Sequence, residues 1–361
     1  MTKSVLIVTD AWRPQVNGVV MCLEAVRDQL VDRGVNVQFL TPNGFPTLPM
    51  PTYPEIRLAL TKTRQVGEMI DRLSPDHVHI ATEGPLGWHA RRHCVRRNLD
   101  FTTSYHTNFP LYFEARAKFT RNTVVRYLRW FHGRSKGVLV ASPSVYVQLQ
   151  AMGYERLRQW TRGVDVARFH PGEKTWFRDL PGPRMLSVGR VAVEKNLRAF
   201  LDCDVAGSKI VVGDGPQLDE LRRAHPQVTF LGRRVGAELA EIYRGADVFV
   251  FPSRTDTFGN VMLEAMASGL PVAAYPVTGP LDVLTDPQCG AMDEDLAAAI
   301  DRALSLSPAA AVRHAARFTW SACADIFEDN LVPLSPVGAA EASAVRATSP
   351  ATSVALPSVQ P

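Results

Sequence analysis

Short apolar runs that alternate with helical patterns constrain the fold of this chain more than any other feature. The clearest instance is the stretch from Val248 to Tyr275, which reads as a strand, a polar loop, a helix and a second strand. Its first run, Val248 to Phe251, is wholly apolar, as expected of a parallel strand that is buried on both faces. A chain built from such units forms a parallel sheet with helices on both of its faces.

The same alternation occurs as two series, which predicts an α/β protein with two Rossmann-like, doubly wound parallel sheets facing each other across a cleft. The first domain is predicted over 1–172 and the second over 173–317, because the strand pattern restarts after the prolines near 171–183. An amphipathic helix in 318–334 is expected to cross back onto the first domain. A disordered tail is predicted for 335–361, where Ala, Ser, Pro, Thr and Val dominate. Two further expectations are a long irregular loop over the proline-rich 42–60 and an alanine-rich helix over 293–317.

Composition places the chain among soluble globular proteins, since 46% of its 361 residues are hydrophobic and 21% are charged. No apolar run reaches the roughly 18 residues of a transmembrane helix. The apolar N-terminal run lacks a cleavage-site pattern and is interpreted as a first strand, not a signal peptide. The five cysteines are odd in number and far apart, so they give neither a disulfide framework nor a zinc spacing. A reducing cytoplasm is therefore expected.

Charge is distributed unevenly along the chain. Lys and Arg exceed Asp and Glu by ten in 1–172, whereas Asp and Glu are in excess by six in 173–334. Between Glu114 and Glu155 there are seven basic residues and no acidic one, with aromatic residues interleaved. This segment favours an anionic membrane surface, and the alternative is a solvated basic face whose aromatics lie in the core. No nucleic-acid-binding motif accompanies it. The predicted membrane-binding residues are Arg116, Lys118, Arg121, Arg126, Arg129 and Trp130.

Loops at the carboxyl ends of parallel strands are where α/β sheets bind ligands, and several of these loops carry suitable side chains. Arg190 and Lys195 follow the first strand of the second series, where they could bind phosphate oxygens. Asp256 and Glu264 offer carboxylates to hydroxyl groups beside a helix N-terminus. The alternative is an ordinary βαβ unit with solvated Arg and Lys, a surface Asp and a half-buried Glu.

Three further positions belong to the same set of loops. Gly18 lies between the first strand and the first helix, where it either allows close approach of a ligand or only forms a tight turn. His106 ends a strand, which makes it a better site candidate than a lone histidine elsewhere. Gly213, Gly215 and Pro216 form a G-x-G-P sequence, but Leu218 stands where a dinucleotide fingerprint needs glycine. A nicotinamide site is therefore rejected.

Together these residues resemble the retaining glycosyltransferases of family 4, which have the GT-B fold. The family's paired acids around a Phe-Gly dipeptide resemble DTFGNVMLE, from Asp256 to Glu264, and its basic pair resembles Arg190 and Lys195. Asp at the first of these acids is similar to the subgroup of mannosyl and sulfoquinovosyl transferases that act on lipids. The G-x-G-P loop, the VNGVV loop around Gly18 and the RGVD sequence at 162–165 also resemble family motifs.

The resemblance implies a role for each residue. Arg190, Lys195 and Gly18 would meet the donor's phosphates, and Glu264 would bind the ribose. Asp256 and the backbone of Phe258, Gly259 and Asn260 would hold the sugar's hydroxyls, with His106 beside the reacting sugar. Gly215 would belong to the donor site. Predicted catalytic residues are thus His106, Arg190, Lys195 and Asp256, and predicted donor-binding residues are Gly18, Gly215, Phe258, Gly259, Asn260 and Glu264.

The sequence therefore predicts a retaining hexosyltransferase that uses a nucleotide-sugar donor, GDP-mannose or a UDP-hexose, and a lipid acceptor. Because Arg190 and Lys195 supply positive charge to the leaving phosphate, neither a metal nor another cofactor is expected. The enzyme is expected on the inner face of the cytoplasmic membrane as a peripheral protein, without a nucleic-acid partner. Two alternatives remain: a nucleotide-sugar epimerase of the same fold, and a non-catalytic protein that binds sugar nucleotides or lipids.

Overall fold

The computed structural model describes residues 3–15, 17–50, 53–106 and 121–334. Two six-stranded sheets dominate it, and every strand pair within them is parallel. This confirms the predicted pair of doubly wound, Rossmann-like sheets. The predicted tail from 335 onward and the basic residues Arg116 and Lys118 lie outside the described residues.

The first half of the chain holds a sheet in the order β2-β1-β5-β6-β7-β8 and a separate two-stranded sheet of β3 and β4. Its strands are β1 (Ser4–Val8), β2 (Asn36–Leu40), β3 (Thr47–Met50), β4 (Tyr53–Ala59), β5 (His77–Ile80), β6 (Thr102–Tyr105), β7 (Gly137–Val140) and β8 (Leu157–Gln159). Its helices are α1 (Gly18–Asp32), α2 (Thr63–Leu73), α3 (Pro85–Arg96), α4 (Arg121–His132) and α5 (Pro143–Ala151).

The second half holds a sheet in the order β11-β10-β9-β12-β13-β14. Its strands are β9 (Arg184–Val188), β10 (Ser208–Val212), β11 (Thr229–Gly232), β12 (Val248–Phe251), β13 (Val272–Ala274) and β14 (Gly290–Met292). Its helices are α6 (Leu197–Leu201), α7 (Leu218–Ala224), α8 (Gly236–Gly245), α9 (Asn260–Ala267), α10 (Pro280–Val283), α11 (Leu296–Leu304) and α12 (Pro308–Ala315), followed by α13 (Trp320–Asp329).

Each central strand is apolar because both of its faces are covered. In β1, Leu6 and Val8 pack into one buried cluster, whereas Val5 and Ile7 pack into another on the opposite face. β12 repeats the arrangement, with its two phenylalanines in one cluster and its two valines in the other. The period of two along a strand sends alternate side chains to opposite faces, so a continuous apolar run fits a covered sheet.

Helix α13 packs on α1 and so lies against the first sheet's layer. Cys323 and Phe327 are fully buried in the cluster that also contains Cys22 and Leu23. At the rim, Arg33 forms an ion pair with Asp325, with 2.6 Å between Nη1 and Oδ1. The last turns of the described chain thus return to the first half of the molecule.

Two of the predicted elements are wrong. The proline-rich 42–60 is not an irregular loop, since it forms a 3₁₀ turn at Pro42–Gly44 and the β3–β4 hairpin. Proline is tolerated there because a two-stranded sheet leaves edge N–H positions that need no partner. The alanine-rich 293–317 is two helices, α11 and α12, because Pro308 lacks a backbone N–H and begins a new helix at its first turn.

Candidate functional site

The strand order of the second sheet reverses beside β9, with β10 on one side and β12 on the other. A ligand-binding crevice is expected outside the carboxyl ends of these strands. The loop after β9 carries Arg190 and the 3₁₀ turn Val193–Lys195. The loop after β12 carries Asp256, so the reversal brings together the basic and acidic residues singled out in the sequence.

The two loops are in direct contact through Lys195 and Asp256. Lys195 Nζ lies 2.6 and 2.7 Å from the two carboxylate oxygens of Asp256. Asn196 reinforces the contact, since its side-chain Nδ2 donates to the carbonyl of Pro252 at 3.1 Å. The Lys195 and Asp256 side chains keep 28% and 23% of their exposure, so both remain accessible. A cation for an anionic ligand therefore stands beside a carboxylate suited to hydroxyl groups.

Glu264, on α9, is the buried carboxyl group of this region. Its Oε2 accepts a hydrogen bond of 3.0 Å from the hydroxyl of Tyr243. Burial raises the pKa of Glu264 to about 7, against the opposing effects of the Tyr243 hydrogen bond and the charge of Arg168. A carboxyl group that is held in a buried position with a raised pKa is typical of a functional site.

The glycines of the G-x-G-P loop are required by packing between loops. Gly213 and Gly215 both have positive φ angles, and a Cβ at Gly215 would lie 2.4 Å from the carbonyl oxygen of Val191. The Val191 N–H donates to Asp214 O at 2.9 Å, which binds this loop to the one that carries Arg190. The G-x-G-P loop thus packs against the loop that carries Arg190. Direct contact between Gly215 and the donor stays a prediction.

Gly18 is the first residue of α1 and faces the first residue of α9. A Cβ added to Gly18 would lie 3.5 Å from Asn260 Nδ2, so the N-termini of the two helices meet. Asn17 caps α1, with its Oδ1 accepting from the N–H groups of Val19 and Val20. Gly259 precedes α9 at φ +87°, a left-handed conformation that disfavours other residues. Helix N-termini favour anions, which suits the predicted phosphate contacts.

Phe258 packs within the second half of the molecule, whereas His106 contacts that half from the end of β6. The Phe258 side chain is buried and its ring packs edge-on to Phe318, and ligand contact by its backbone stays a prediction. The carbonyl of His106, at the end of β6, accepts a 3.0 Å hydrogen bond from Thr257 Oγ1 in the loop after β12. The sequence-predicted histidine therefore lies against the loop that carries Asp256.

Sequence reasoning missed two carboxyl groups at the corresponding reversal of the first sheet, beside β1. Asp10 follows β1 and accepts hydrogen bonds from the N–H groups of Leu86 and Gly87 at the start of α3. Burial raises the pKa of Asp10 to about 6. Glu83 accompanies it, with its Oε1 3.2 Å from His132 Nε2. The strand-end rule that identified His106 applies equally to Asp10.

The basic helix α4 exposes charged residues on one side and buries apolar residues on the other. Arg126 and Arg129 are exposed and Trp130 keeps 47% of its exposure, but Leu128 and Phe131 are fully buried. Leu128 and Phe131 belong to the apolar stripe that the helix packs into the core, and membrane contact by Arg126, Arg129 and Trp130 stays a prediction. The guanidinium of Arg91 lies 3.7 Å from the Trp130 ring centre and donates to the Phe131 carbonyl at 2.7 Å. The side chain of Arg121 lies outside the described residues.

Asp293 and Asp295, in the acidic segment before α11, make contacts that stabilise this helix. Asp295 caps α11 by accepting from the N–H of Ala297 at 3.0 Å, and Asp293 forms an ion pair of 2.8 Å with Arg302. Within the ranges that the structure describes, no three His, Cys, Asp or Glu side chains gather as metal ligands.

Comparison with known proteins decides the family. Residues 16–168 match the family model described as Glycosyltransferase Family 4, and residues 182–306 match Glycosyl transferases group 1. A GDP-mannose-dependent alpha-mannosyltransferase of Mycobacterium tuberculosis is 30% identical over 79% of this chain and 82% of its own length. The chain belongs to glycosyltransferase family 4. This confirms the resemblance drawn from the DTFG loop and the basic pair.

Other relatives of this glycosyltransferase are named for the transfer of different sugars. Sulfoquinovosyl transferase SQD2 of Arabidopsis thaliana is 31% identical over 68% of the chain, which spans 52% of that relative. Alpha-monoglucosyldiacylglycerol synthase of Streptococcus pneumoniae is 27% identical over 83% of the chain and 78% of its own length. The predicted resemblance to mannosyl and sulfoquinovosyl transferases is thereby confirmed.

The fold of the glycosyltransferase is also found in solved structures. Anabaena HepE, solved with UDP and glucose, superposes with a TM-score of 0.67 at 15% identity, covering 91% of this chain and 98% of HepE. The GT-B prediction is confirmed. Over the described ranges, none of the helices combines the length and apolar character needed to cross a bilayer.

Proposed function

We propose that this glycosyltransferase retains configuration and moves a hexose from a nucleotide-sugar donor, GDP-mannose or a UDP-hexose, to a membrane-lipid acceptor. The observation that carries the proposal is the contact of Lys195 with Asp256 at the reversal of the second sheet. It joins a phosphate-binding cation to a hydroxyl-binding carboxylate in one crevice. The names of the mannosyl and diacylglycerol-glucosyl relatives support the donor and acceptor classes.

Each residue has a distinct task in this proposal. Arg190 and Lys195 bind the diphosphate and neutralise the charge that grows on it as the glycosidic bond breaks. Lys195 is then shared between the phosphate and Asp256. The remaining lone pairs of the Asp256 carboxylate accept hydrogen bonds from sugar hydroxyls. Glu264 accepts from the ribose. The leaving phosphate takes the acceptor's proton, so no side chain is assigned as the base.

This distribution of charge makes the reaction independent of metal ions. Two basic side chains offset a diphosphate electrostatically where other enzymes use Mg²⁺. Transfer in the presence of excess EDTA should equal transfer in its absence, and a strict Mg²⁺ requirement would refute this part of the proposal.

The site assignment is tested by substitution. Arg190→Ala, Lys195→Ala and Glu264→Ala should each lower kcat/KM by about 100-fold or more, as for removal of a preorganised charge or hydrogen bond. Arg223→Ala, an exposed residue of α7, is the matched control and should retain normal turnover. Near-normal activity in all three site variants would overturn the assignment. Donor incubated without lipid extract separates transfer from epimerisation.

We further propose that the enzyme associates peripherally with the inner face of the cytoplasmic membrane through α4. Arg126, Arg129 and Trp130 present positive charge and one partly exposed aromatic ring on this helix. Arg126→Glu with Arg129→Glu should abolish flotation with phosphatidylglycerol vesicles at low salt. Arg223→Glu should leave flotation unchanged. Equal flotation of both variants would exclude α4 as the membrane contact.

A further inference from the structure

We propose that Arg162 is a positioning residue that fixes His106 as a neutral imidazole with its proton on Nε2. His106 then acts in the cleft as a hydrogen-bond donor and has no free lone pair with which to act as a base. The proposal rests on the proposed function, since it concerns the side chain that lies against the loop carrying Asp256.

The side chains of Arg162 and His106 are in direct contact. Arg162 Nη2 donates to His106 Nδ1 at 3.0 Å. A guanidinium has only donors and stays protonated, so Nδ1 must be the acceptor. In a neutral imidazole the other nitrogen, Nε2, then carries the hydrogen. Both residues are buried, with Arg162 5% and His106 8% exposed, so water does not readily replace this hydrogen bond.

Arg162 is itself held by contacts that fix the direction of its guanidinium. Its Nη1 donates to the carbonyl of Thr161 at 2.8 Å, and its Cζ lies 4.4 Å from the centre of the Trp160 ring. Trp160 is anchored in turn, because its Nε1 donates to the carbonyl of Cys323 on α13 at 2.9 Å. Helix α13 therefore supports the orientation of His106 through two intervening side chains.

The charges around His106 oppose its protonation. Burial and the nearby Arg162 guanidinium hold the pKa of His106 well below its usual range. Among the described residues, His79 on β5 is a further titratable neighbour, and it is itself neutral: its nitrogens lie 2.8 and 2.7 Å from the hydroxyls of Thr102 and Ser104. Burial lowers the pKa of His79 to about 3. No anion among these neighbours stabilises an imidazolium.

His106 Nε2 is the atom left for a ligand. It is buried and has no hydrogen-bond partner among residues 3–15, 17–50, 53–106 and 121–334. The carbonyl of the same residue accepts from Thr257, which keeps the ring beside the loop that carries Asp256. A buried N–H without an acceptor is costly, and a sugar hydroxyl oxygen supplies the acceptor when the donor binds.

Three variants test the coupling in transfer assays. Arg162→Met should lower kcat by about 10- to 100-fold, because a misplaced donor misaligns the sugar. In a His106→Ala background the same substitution should cause no further loss, since its effect runs through the imidazole. Arg162→Lys keeps a cationic donor and should recover most of the lost activity. A loss of equal size in both backgrounds would overturn the proposal, because it would show that Arg162 acts independently of His106.

The tautomer is measured without any activity assay. In protein labelled with ¹⁵N-histidine, the His106 resonances, assigned by their absence in His106→Ala, should show a protonated Nε2 and an unprotonated Nδ1. A protonated Nδ1 in the wild-type protein would overturn the proposal even if transfer is normal. Absence of transfer by a wild-type protein with the expected tautomer would instead count against the proposed function. If Arg162→Met does not fold, as judged by circular dichroism, the Arg162→Lys variant and the wild-type tautomer still decide the outcome.

Discussion

At neutral pH the buried carboxyl group of Glu264 should make the wild-type enzyme less stable than the Glu264→Gln variant. Glu264 is 7% exposed, and its carboxyl group accepts a hydrogen bond from the hydroxyl of Tyr243. Glu264→Gln keeps the shape of the side chain and an oxygen that accepts from Tyr243, but it removes the group that ionises. At low pH the protonated acid and the amide are nearly equivalent, so the two proteins should then be equally stable.

The direction in which the stability changes with pH follows from proton linkage. The pKa of Glu264 rises from 4.5 to about 7 on folding, so between these pH values the native state holds a proton that the unfolded chain has lost. Stability therefore falls as pH rises through this window, and the full loss is present above about pH 7. The difference between 4.5 and about 7 corresponds to about 3 kcal/mol of unfolding free energy. The glutamine variant lacks this loss.

The measurement is urea unfolding of both proteins at pH 5 and pH 8, followed by tryptophan fluorescence. The midpoints should be similar at pH 5, and Glu264→Gln should unfold at clearly higher urea at pH 8. Asp10, with a raised pKa of about 6, contributes equally to both proteins and cancels in the comparison. Tyr243→Phe removes the hydrogen bond that favours the carboxylate, so it should increase the pH dependence. A midpoint difference that is the same at both pH values would refute the reasoning.

Three further outcomes are expected. Gly215→Ala should destabilise the protein by about 1–3 kcal/mol through backbone strain, since its Cβ would meet Val191 O at 2.4 Å. Gly18→Ala, whose Cβ would be 3.5 Å from Asn260 Nδ2, should fold normally but bind donor nucleotide more weakly by calorimetry. Asp282→Ala removes the acceptor of the Ser144 N–H and hydroxyl bonds, which are 2.9 and 2.8 Å long, between α10 and α5. It should speed limited proteolysis between the two halves, and unchanged cleavage would show that this contact does not hold them together.

The sequence by itself determined most of the strands and helices and which residue types lie at the carboxyl ends of the strands. Strands such as Val248–Phe251 are apolar throughout because both faces are covered, and this local signal predicts a parallel sheet without knowledge of its neighbours. The strand-end rule then places Arg190, Lys195 and Asp256 at one edge, and the Lys195–Asp256 contact brings two of them together. The prediction was wrong at β3 and β4, because proline is typical of loops but is also tolerated in an edge strand.

Only the tertiary structure decided which side chains meet across long separations. The hydrogen bond from Arg162 to His106 joins residues 56 positions apart, and the Trp160 bond to Cys323 spans 163 positions. It also decided that Leu128 and Phe131 face the core while Trp130 faces outward. The hydrophobic periodicity of a segment predicts which of its residues are buried. Which residue each of them contacts depends on how sheets and helices from distant segments pack. The residue types in the loops that carry Lys195 and Asp256 are therefore local information, whereas the surroundings that shift the pKa values of His106 and Glu264 are not.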